Sequence, residues 1–315
     1  MLPTTTCVIL NPRAAAGRVG ARRDQIESRL REILGPVEVR PTEALGDAAR
    51  LARQAISDGA TTLLSLGGDG THSEVVHGIL TSSAPHGSIT LGVLPAGTGG
   101  DFRRLLENSD TWETAALGLP GASDHGIDAG RIRVADEQGR EQVRYFVNIC
   151  SFGVGGLVAR VVNSSSKRLG ARATFALGVF RAILQYQPAS VRLRVDGEDR
   201  GTFCVTNIAV GNGRFFGGGM MVTPGARLAD GLLDVTVIEH HPLLETIVHF
   251  SDIYSGRHLA RPGVHTFRGS VIEAEPVGGT SAFIELDGEA SGVIPIRVEV
   301  VPNALRLLQP RRDVL

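Results

Sequence analysis

The chain has 315 residues, of which 21% are charged and 42% hydrophobic, with a formal net charge of −1. That length accommodates two modest domains, each with its own core, and the near-neutral balance excludes a general basic footprint for nucleic acid. No apolar run approaches the roughly 18 residues of a membrane span, and the opening MLPTTTCVILNPR lacks the basic start and long apolar stretch of a signal peptide. Cys7, Cys150 and Cys204 are far apart, with no CxxC spacing, and read as reduced thiols packed as small hydrophobes. A cytoplasmic protein that meets membranes only peripherally and transiently is the expectation.

In chain order, Cys7–Leu10 is an apolar strand that ends at Asn11-Pro12. The RAAAGRVG loop then leads into a helix to about Leu34, with Ile26, Leu30, Ile33 and Leu34 on one face. A second strand covers Val37–Arg40. Asp47 caps a helix through Ser57, with Ala48, Leu51, Ala52 and Ala55 inward. The run TTLLSLGGDGTHS, Thr61–Ser73, reads as a buried strand ending in a tight glycine turn, continued by a helix over His72–Leu80. Strand Leu91–Leu94 meets a second glycine-rich turn, PAGTGGD, before a short helix from Asp101. Four strand–helix alternations predict a parallel sheet with helices on both faces. Ligands of such sheets bind at the carboxyl ends of the strands, where both glycine turns lie.

After about Gly126 the pattern changes to short β-branched segments: Ala129–Val134, Tyr145–Cys150, Val191–Val195, Phe203–Val210, Leu232–Glu239, Ser270–Glu275, Ala282–Asp287 and Val293–Val301. Gly139, Asp196-Gly197 and Asp287-Gly288 look like hairpin turns. The pattern predicts an antiparallel sandwich or open barrel, interrupted by helices over Arg172–Tyr186 and Pro242–Tyr254. Asn163–Gly170, NSSSKRLG, reads as a mobile loop.

Gly67, Gly68 and Gly70 remove every Cβ from the first turn, so its N–H groups can close around an anion. Asp69 and Thr71 are the side chains left there, and a carboxylate among phosphate-facing amides suits a metal ion or hydroxyl between them. The only lysine is Lys167, so a Walker-type phosphate loop is excluded. No GxSxG elbow or HExxH is present. Asp69, Asp101, Asp128, Asp230, Asp234 and Asp287 stand beside glycine or at strand ends, a donor set better matched to magnesium than to zinc.

GGDGT at Gly67–Thr71, LPAGTGGDF at Leu94–Phe102 and the Asn11-Pro12…Gly17 loop resemble the diacylglycerol kinase catalytic domain. VTPGARLADGLLDV at Val222–Val235 and ELDGE at Glu285–Glu289 extend the resemblance almost end to end. The chain is most similar to the soluble bacterial lipid kinase branch, related to sphingosine and ceramide kinases. The resemblance implies an α/β nucleotide-binding domain over residues 1–126 and a β-rich lipid-substrate domain over 127–303, with a last strand near 304–315 returning to the first. It implies ATP and magnesium as cofactors and a role in phospholipid biosynthesis. Asn11, Gly17, Thr42, Gly67, Gly68, Asp69, Gly70, Thr71 and Thr98 are then the nucleotide contacts. Asp69, Asp101 and Asp128 form a carboxylate network around the catalytic magnesium, largely through water. Asp287 is the general base, with Glu289 beside it, and is expected to face Asp69 across an interdomain cleft. Asp230 and the Leu232 carbonyl match part of a structural magnesium site.

Three positions depart from the family pattern. Gly100 replaces an asparagine before Asp101, which would loosen the phosphate turn; Arg227 and Ala229 replace acids near Asp230, and Arg227 is expected to neutralise Asp230 in place of the metal. Two rival readings stay open: an NAD kinase-like enzyme, which shares GGDGT, and a catalytically silent nucleotide-binding regulator. Partners expected are a lipid alcohol and a membrane surface, without nucleic acid; a homodimer is compatible with the sequence.

Overall fold

A computed structural model of the chain describes residues 5–97, 99–106, 109–135, 140–164, 186–242, 245, 249–279 and 282–311. The chain forms two compact units. One comprises the chain up to Ala129 together with the segment from Pro302, and the other comprises Gly130–Val301.

The first unit alternates strands and helices: β1 (Thr6–Leu10), α1 (Arg18–Ala21), α2 (Arg23–Leu34), β2 (Glu38–Pro41), α3 (Asp47–Ser57), β3 (Thr62–Gly67), α4 (Asp69–Leu80), β4 (Thr90–Pro95), α5 (Asp101–Leu105) and α6 (Trp112–Gly118). Its sheet runs in the order β2-β1-β3-β4, all parallel. The end of the chain's last strand joins it beside β4, with Arg306 opposite Thr90 and Leu307 opposite Leu91. Every residue of β1 and β3 is buried, so these strands read as continuous apolar runs, as strands covered on both faces do. Leu30 and Leu34 of α2 pack with Val8, Leu10, Leu64, Leu66 and Leu94 of the sheet. On the α3–α4 contact, a Cβ at Gly78 would lie 2.6 Å from the Ala49 carbonyl oxygen, so only glycine permits that approach. Helix α4 begins at Asp69 rather than near His72, which puts Asp69, Gly70 and Thr71 in its first turn.

In the second unit the elements are β5 (Ser123–Ala135, shared with the first unit), β6 (Glu141–Phe146), β7 (Ile149–Gly153), α7 (Val154–Ser164), β8 (Ala189–Val195), β9 (Glu198–Gly211), β10 (Phe215–Phe216), β11 (Met220–Met221), β12 (Leu233–Glu239), β13 (Val264–Gly269), β14 (Val271–Val277), β15 (Phe283–Leu286), β16 (Glu289–Val293) and β17 (Ile296–Gln309). Antiparallel pairing follows the order β16-β15-β7-β9-β8-β14-β17, with β12 beside β9 and β13 beside β12. Phe146, Phe152, Leu193, Ile208, Val235, Ile272 and Ile284 belong to one buried core of this sandwich. The Asp196-Gly197 and Asp287-Gly288 turns hold positive φ at both central residues, the geometry that tight hairpins between twisted strands demand.

Several expectations change. The apolar run Tyr145–Cys150 is not one strand: β6 stops at Phe146 and β7 starts at Ile149, because the Val147 and Asn148 amides turn to the Asp287 side chain. Helices α6 and α7 and strands β13 and β16 were not anticipated. Within Pro242–Tyr254, Phe250–Tyr254 forms a 3-10 turn, followed by another over Arg257–Ala260. The Gly139 turn and all but Tyr186 of the expected helix Arg172–Tyr186 lie outside the described residues, and Tyr186 is not helical; of the expected loop Asn163–Gly170, Asn163 and Ser164 end α7 and the rest lies outside them.

Candidate active site

The first unit collects its glycine turns at the carboxyl edge of the parallel sheet. Gly68 and Gly97 meet there backbone to backbone: a Cβ on Gly97 would fall 2.6 Å from the Gly68 Cα. The Ala96 amide donates to the Gly67 carbonyl (2.6 Å), tying the second turn to the first. At Gly67 a Cβ would meet Thr71 Oγ1 at 2.5 Å, and Thr71 Oγ1 accepts from Asn11 Nδ2 (2.8 Å). Asn11, the 67–71 turn and the Ala96-Gly97 backbone are therefore held as one assembly. Thr42 joins the same edge, its amide donating to the Leu10 carbonyl (2.8 Å). Thr98 lies outside the described residues.

Two features suit this edge to an anion. The first-turn amides of a helix have no partner within the helix and form its positive end, and α4 presents those of Asp69, Gly70 and Thr71 here. The loop before α1 holds Ala15 (φ 52°), Ala16 (φ 58°) and Gly17 (φ 84°) in the left-handed region. For two alanines this is strained backbone, which persists where surrounding structure enforces it. Behind the turn, His72 is buried with Nδ1 2.8 Å from Ser65 Oγ. Burial pushes its pKa down to about 4, against the Asp69 charge.

The carboxylates expected at magnesium are already engaged. Asp69 accepts from the Gly100 amide at Oδ2 (2.8 Å) and the Phe102 amide at Oδ1 (3.1 Å), capping α5. Asp101 accepts from Arg104 (3.2 Å) and Asp128 from the Asn303 amide (2.9 Å). Among the described residues, no three His, Cys, Asp or Glu side chains converge into a group able to hold a metal ion. Magnesium held by one or two carboxylates, with water and phosphate oxygens as the other ligands, needs no such cluster. Gly100, expected to loosen the turn, sits at φ +76° and supplies one of the two Asp69 contacts; asparagine is the other residue that commonly adopts this conformation.

The expected cation beside Asp230 is corrected. Asp230 pairs with the Arg268 guanidinium, which also donates to Asp234 (3.1 Å). The cation is Arg268 of β13, opposite Asp234 in the β12–β13 ladder, and not Arg227. Leu232 contributes its amide, which donates to Asp230 Oδ1 (3.2 Å).

In the second unit, Asp287 tops the β15–β16 hairpin at φ 46°. Its Oδ1 accepts from the amides of Asn148 (3.1 Å) and Ile149 (2.9 Å), and its Oδ2 from that of Val147 (3.0 Å). Burial pushes its pKa up to about 7, opposed by these three amides, and the neighbouring Glu285 charge adds to the rise. Glu289 ion-pairs with Arg144 (3.2 Å). Beside this hairpin lies a cavity of about 460 Å³ that Glu285 and Gly288 help to line, together with Val158, Phe216, Ile238 and Ile253. Sequence reasoning missed this cavity and the place of Glu285 on it; α7, which forms one wall, begins Val154-Gly155-Gly156.

An open parallel sheet with glycine turns at its strand ends, in a chain that also carries a β-sandwich unit, defines a nucleotide-dependent class. A family model described as the diacylglycerol kinase catalytic domain matches residues 5–132. One described as the YegS C-terminal NAD kinase beta sandwich-like domain matches residues 148–309. A probable YegS-like lipid kinase of Chromohalobacter salexigens is 30% identical over 317 residues, covering 98% of this chain and 94% of that protein. A diacylglycerol kinase of Mycobacterium tuberculosis is 29% identical over 267 residues, covering 84% and 82%. The fold matches a putative diacylglycerol kinase of Bacillus anthracis with TM-score 0.75 at 22% identity over 98% of both chains. It matches an Archaeoglobus fulgidus NAD kinase in complex with ATP with TM-score 0.54 at 13% identity, over 98% and 95%. The chain belongs to the bacterial diacylglycerol kinase and YegS-like lipid kinase family, and it is a phosphotransferase of that class. The resemblance to NAD kinase is one of fold. Among the described residues no helix is long and apolar enough to cross a membrane.

Proposed function

We propose that the chain transfers the γ-phosphoryl group of ATP to the hydroxyl of a lipid alcohol, diacylglycerol or similar, at a membrane surface. The observation that carries this reading is the β15–β16 hairpin, whose Glu285 and Gly288 line an apolar cavity while Asp287 between them is held by the Val147, Asn148 and Ile149 amides. In the first unit the α4 first-turn amides and the Gly97–Gly100 turn bind the phosphates, with Asn11, Gly17 and Thr42 contacting the nucleotide. Their N–H groups spread transition-state charge without a lysine. Magnesium would come with ATP, and Asp69, Asp101 and Asp128 would hold it largely through water, where it would supply charge neutralisation for the phosphates.

In the second unit the cavity holds the apolar part of the substrate, and its hydroxyl donates to Asp287 Oδ2, which carries one amide where Oδ1 carries two. As the oxygen–phosphorus bond forms and the bond to the β-phosphate oxygen breaks, Asp287 accepts the hydroxyl proton. The products are phosphorylated lipid and ADP, and the proton passes from Asp287 to water. A pKa near working pH leaves a useful fraction of Asp287 ionised while making it a competent base. The test is transfer of label from γ-labelled ATP to an extracted lipid mixture, with NAD offered in parallel. Labelled lipid supports the reading; label on NAD alone, or nowhere, refutes it.

A further inference from the structure

Strand alternation puts a polar group on one wall of the cavity. In the β15–β7–β9 sheet, Glu285 lies opposite Ser151 and Asn207 opposite Gly153. Successive side chains point to opposite faces. Cys150, Phe152, Ile208, Ile284 and Leu286 enter the sandwich core, so Ser151, Glu285 and Asn207 share the other face, on which Glu285 and Asn207 line the cavity. Both are nearly inaccessible, at 5% and 4% exposure.

These groups are built into place. Ser151 Oγ donates to Glu285 Oε2 (2.8 Å) and the Gly288 amide to Oε1 (2.6 Å). The Gly155 amide, in the first turn of α7, donates to Asn207 Oδ1 (3.1 Å), which leaves the Nδ2 donors as the part of Asn207 for the cavity. A Cβ at Gly155 would fall 2.5 Å from Ser151 Oγ and 3.0 Å from Asn207 Oδ1, so glycine is what lets α7 close onto the group. Burying a carboxylate in an apolar cavity is costly unless hydrogen bonds compensate it. Two residues from the Asp287 base, Glu285 offers acceptors only when ionised, while Asn207 offers donors.

We infer that this wall of the cavity is a headgroup subsite selecting lipid alcohols that carry a hydrogen-bond donor beside the phosphorylated hydroxyl. The donor is a second hydroxyl or an amide N–H, as in 1-monoacylglycerols and N-acyl amino alcohols. The inference rests on the lipid kinase reading above and narrows its substrate. In a diacylglycerol the groups next to the hydroxyl are esters, which accept but do not donate; they satisfy Asn207 and face the Glu285 carboxylate with lone pairs. A site made to hydrogen-bond a substrate OH or NH discriminates against analogues lacking it more strongly than an apolar pocket separates homologues.

The experiment measures kcat and KM of the full chain in mixed micelles carrying a 1-monoacylglycerol, an N-acyl amino alcohol or a diacylglycerol of the same acyl chain. The expected kcat/KM is at least about tenfold higher for the two donor-bearing alcohols. Glu285→Gln, which can donate to an ester, lowers KM for diacylglycerol and shrinks the ratio by about tenfold, whereas Asp287→Asn lowers kcat for all three. Equal kcat/KM for the wild type, or a preference for diacylglycerol, overturns the subsite while leaving the lipid kinase reading intact. A uniform shift of all three substrates in Glu285→Gln also overturns it, assigning Glu285 to structure alone. No transfer to any of the three alcohols overturns both. The wild-type ratio decides the matter even if the variant fails to fold.

Discussion

Gly68 and Gly97 touch without side chains: a Cβ added to Gly97 would stand only 2.6 Å from the Gly68 Cα. The obstacle is main chain, which cannot swing aside as a rotamer can. Gly97→Ala should therefore separate the two phosphate-facing turns, raising the KM for ATP roughly 10- to 100-fold and lowering stability by about 1–3 kcal/mol. Gly46→Ala, in open space at φ +81°, should cost about 1 kcal/mol in stability and leave nucleotide affinity alone. Nucleotide titration and denaturant unfolding of both variants measure the difference.

Asp287→Asn should lower kcat by roughly 10²–10⁴-fold with ATP binding unchanged. In the wild type, kcat/KM should climb with pH and level off above about 7, because only the ionised carboxyl accepts the proton. The climb should vanish in the variant. Near-normal turnover of Asp287→Asn removes the residue from the mechanism.

The two units carry opposite pH arms. His72 has a folded pKa lowered to about 4 by burial, so below pH 6.5 the unfolded chain binds the extra proton, and stability is lost as pH falls from 6.5 towards 4. Asp287 is raised from 3.8 to about 7, so the folded state holds its proton more tightly and that contribution fades as pH rises from about 4 to 7. Unfolding free energies of His72→Gln and Asp287→Asn, each subtracted from wild type across pH 4–8, should slope in opposite senses.

Arg268→Ala leaves Asp230 and Asp234 facing each other without their guanidinium. Burial already holds the Asp234 pKa above its ordinary value, so loss of the cation should destabilise the second unit by about 1 kcal/mol, since Arg268 is nearly half exposed. Millimolar magnesium should raise the melting temperature of this variant and not that of the wild type. A magnesium effect on both would mean that the guanidinium does not stand in for the metal.

What could be read beforehand was whatever local pattern decides. Helix Asp47–Ser57 was legible to within one residue, because Ala48, Leu51, Ala52 and Ala55 recur at helical spacing; the cap expected at Asp47 is Gly46 instead, and Asp47 is the first helical residue. The paired glycine turns were legible because so few structures tolerate that many missing side chains at strand ends. The break between β6 and β7 was not: its cause is a carboxylate 140 residues downstream of Val147. Arg268 was overlooked as the partner of Asp230 because β13 carried no clear alternation, and only strand pairing sets it opposite Asp234. Glu285 was visible as a letter in ELDGE, but its place on the cavity wall depends on register with β7.

Strand β17 pairs with β14 through residues 296–299 and with β4 through residues 306–307. The ribosome therefore delivers this sheet partner of β4 only after it has made every residue of the other unit. Contacts of such high sequence separation slow folding. During synthesis the partly built parallel sheet must wait with one hydrogen-bonding edge uncovered, which makes that interval the time when the nascent chain most needs chaperone protection.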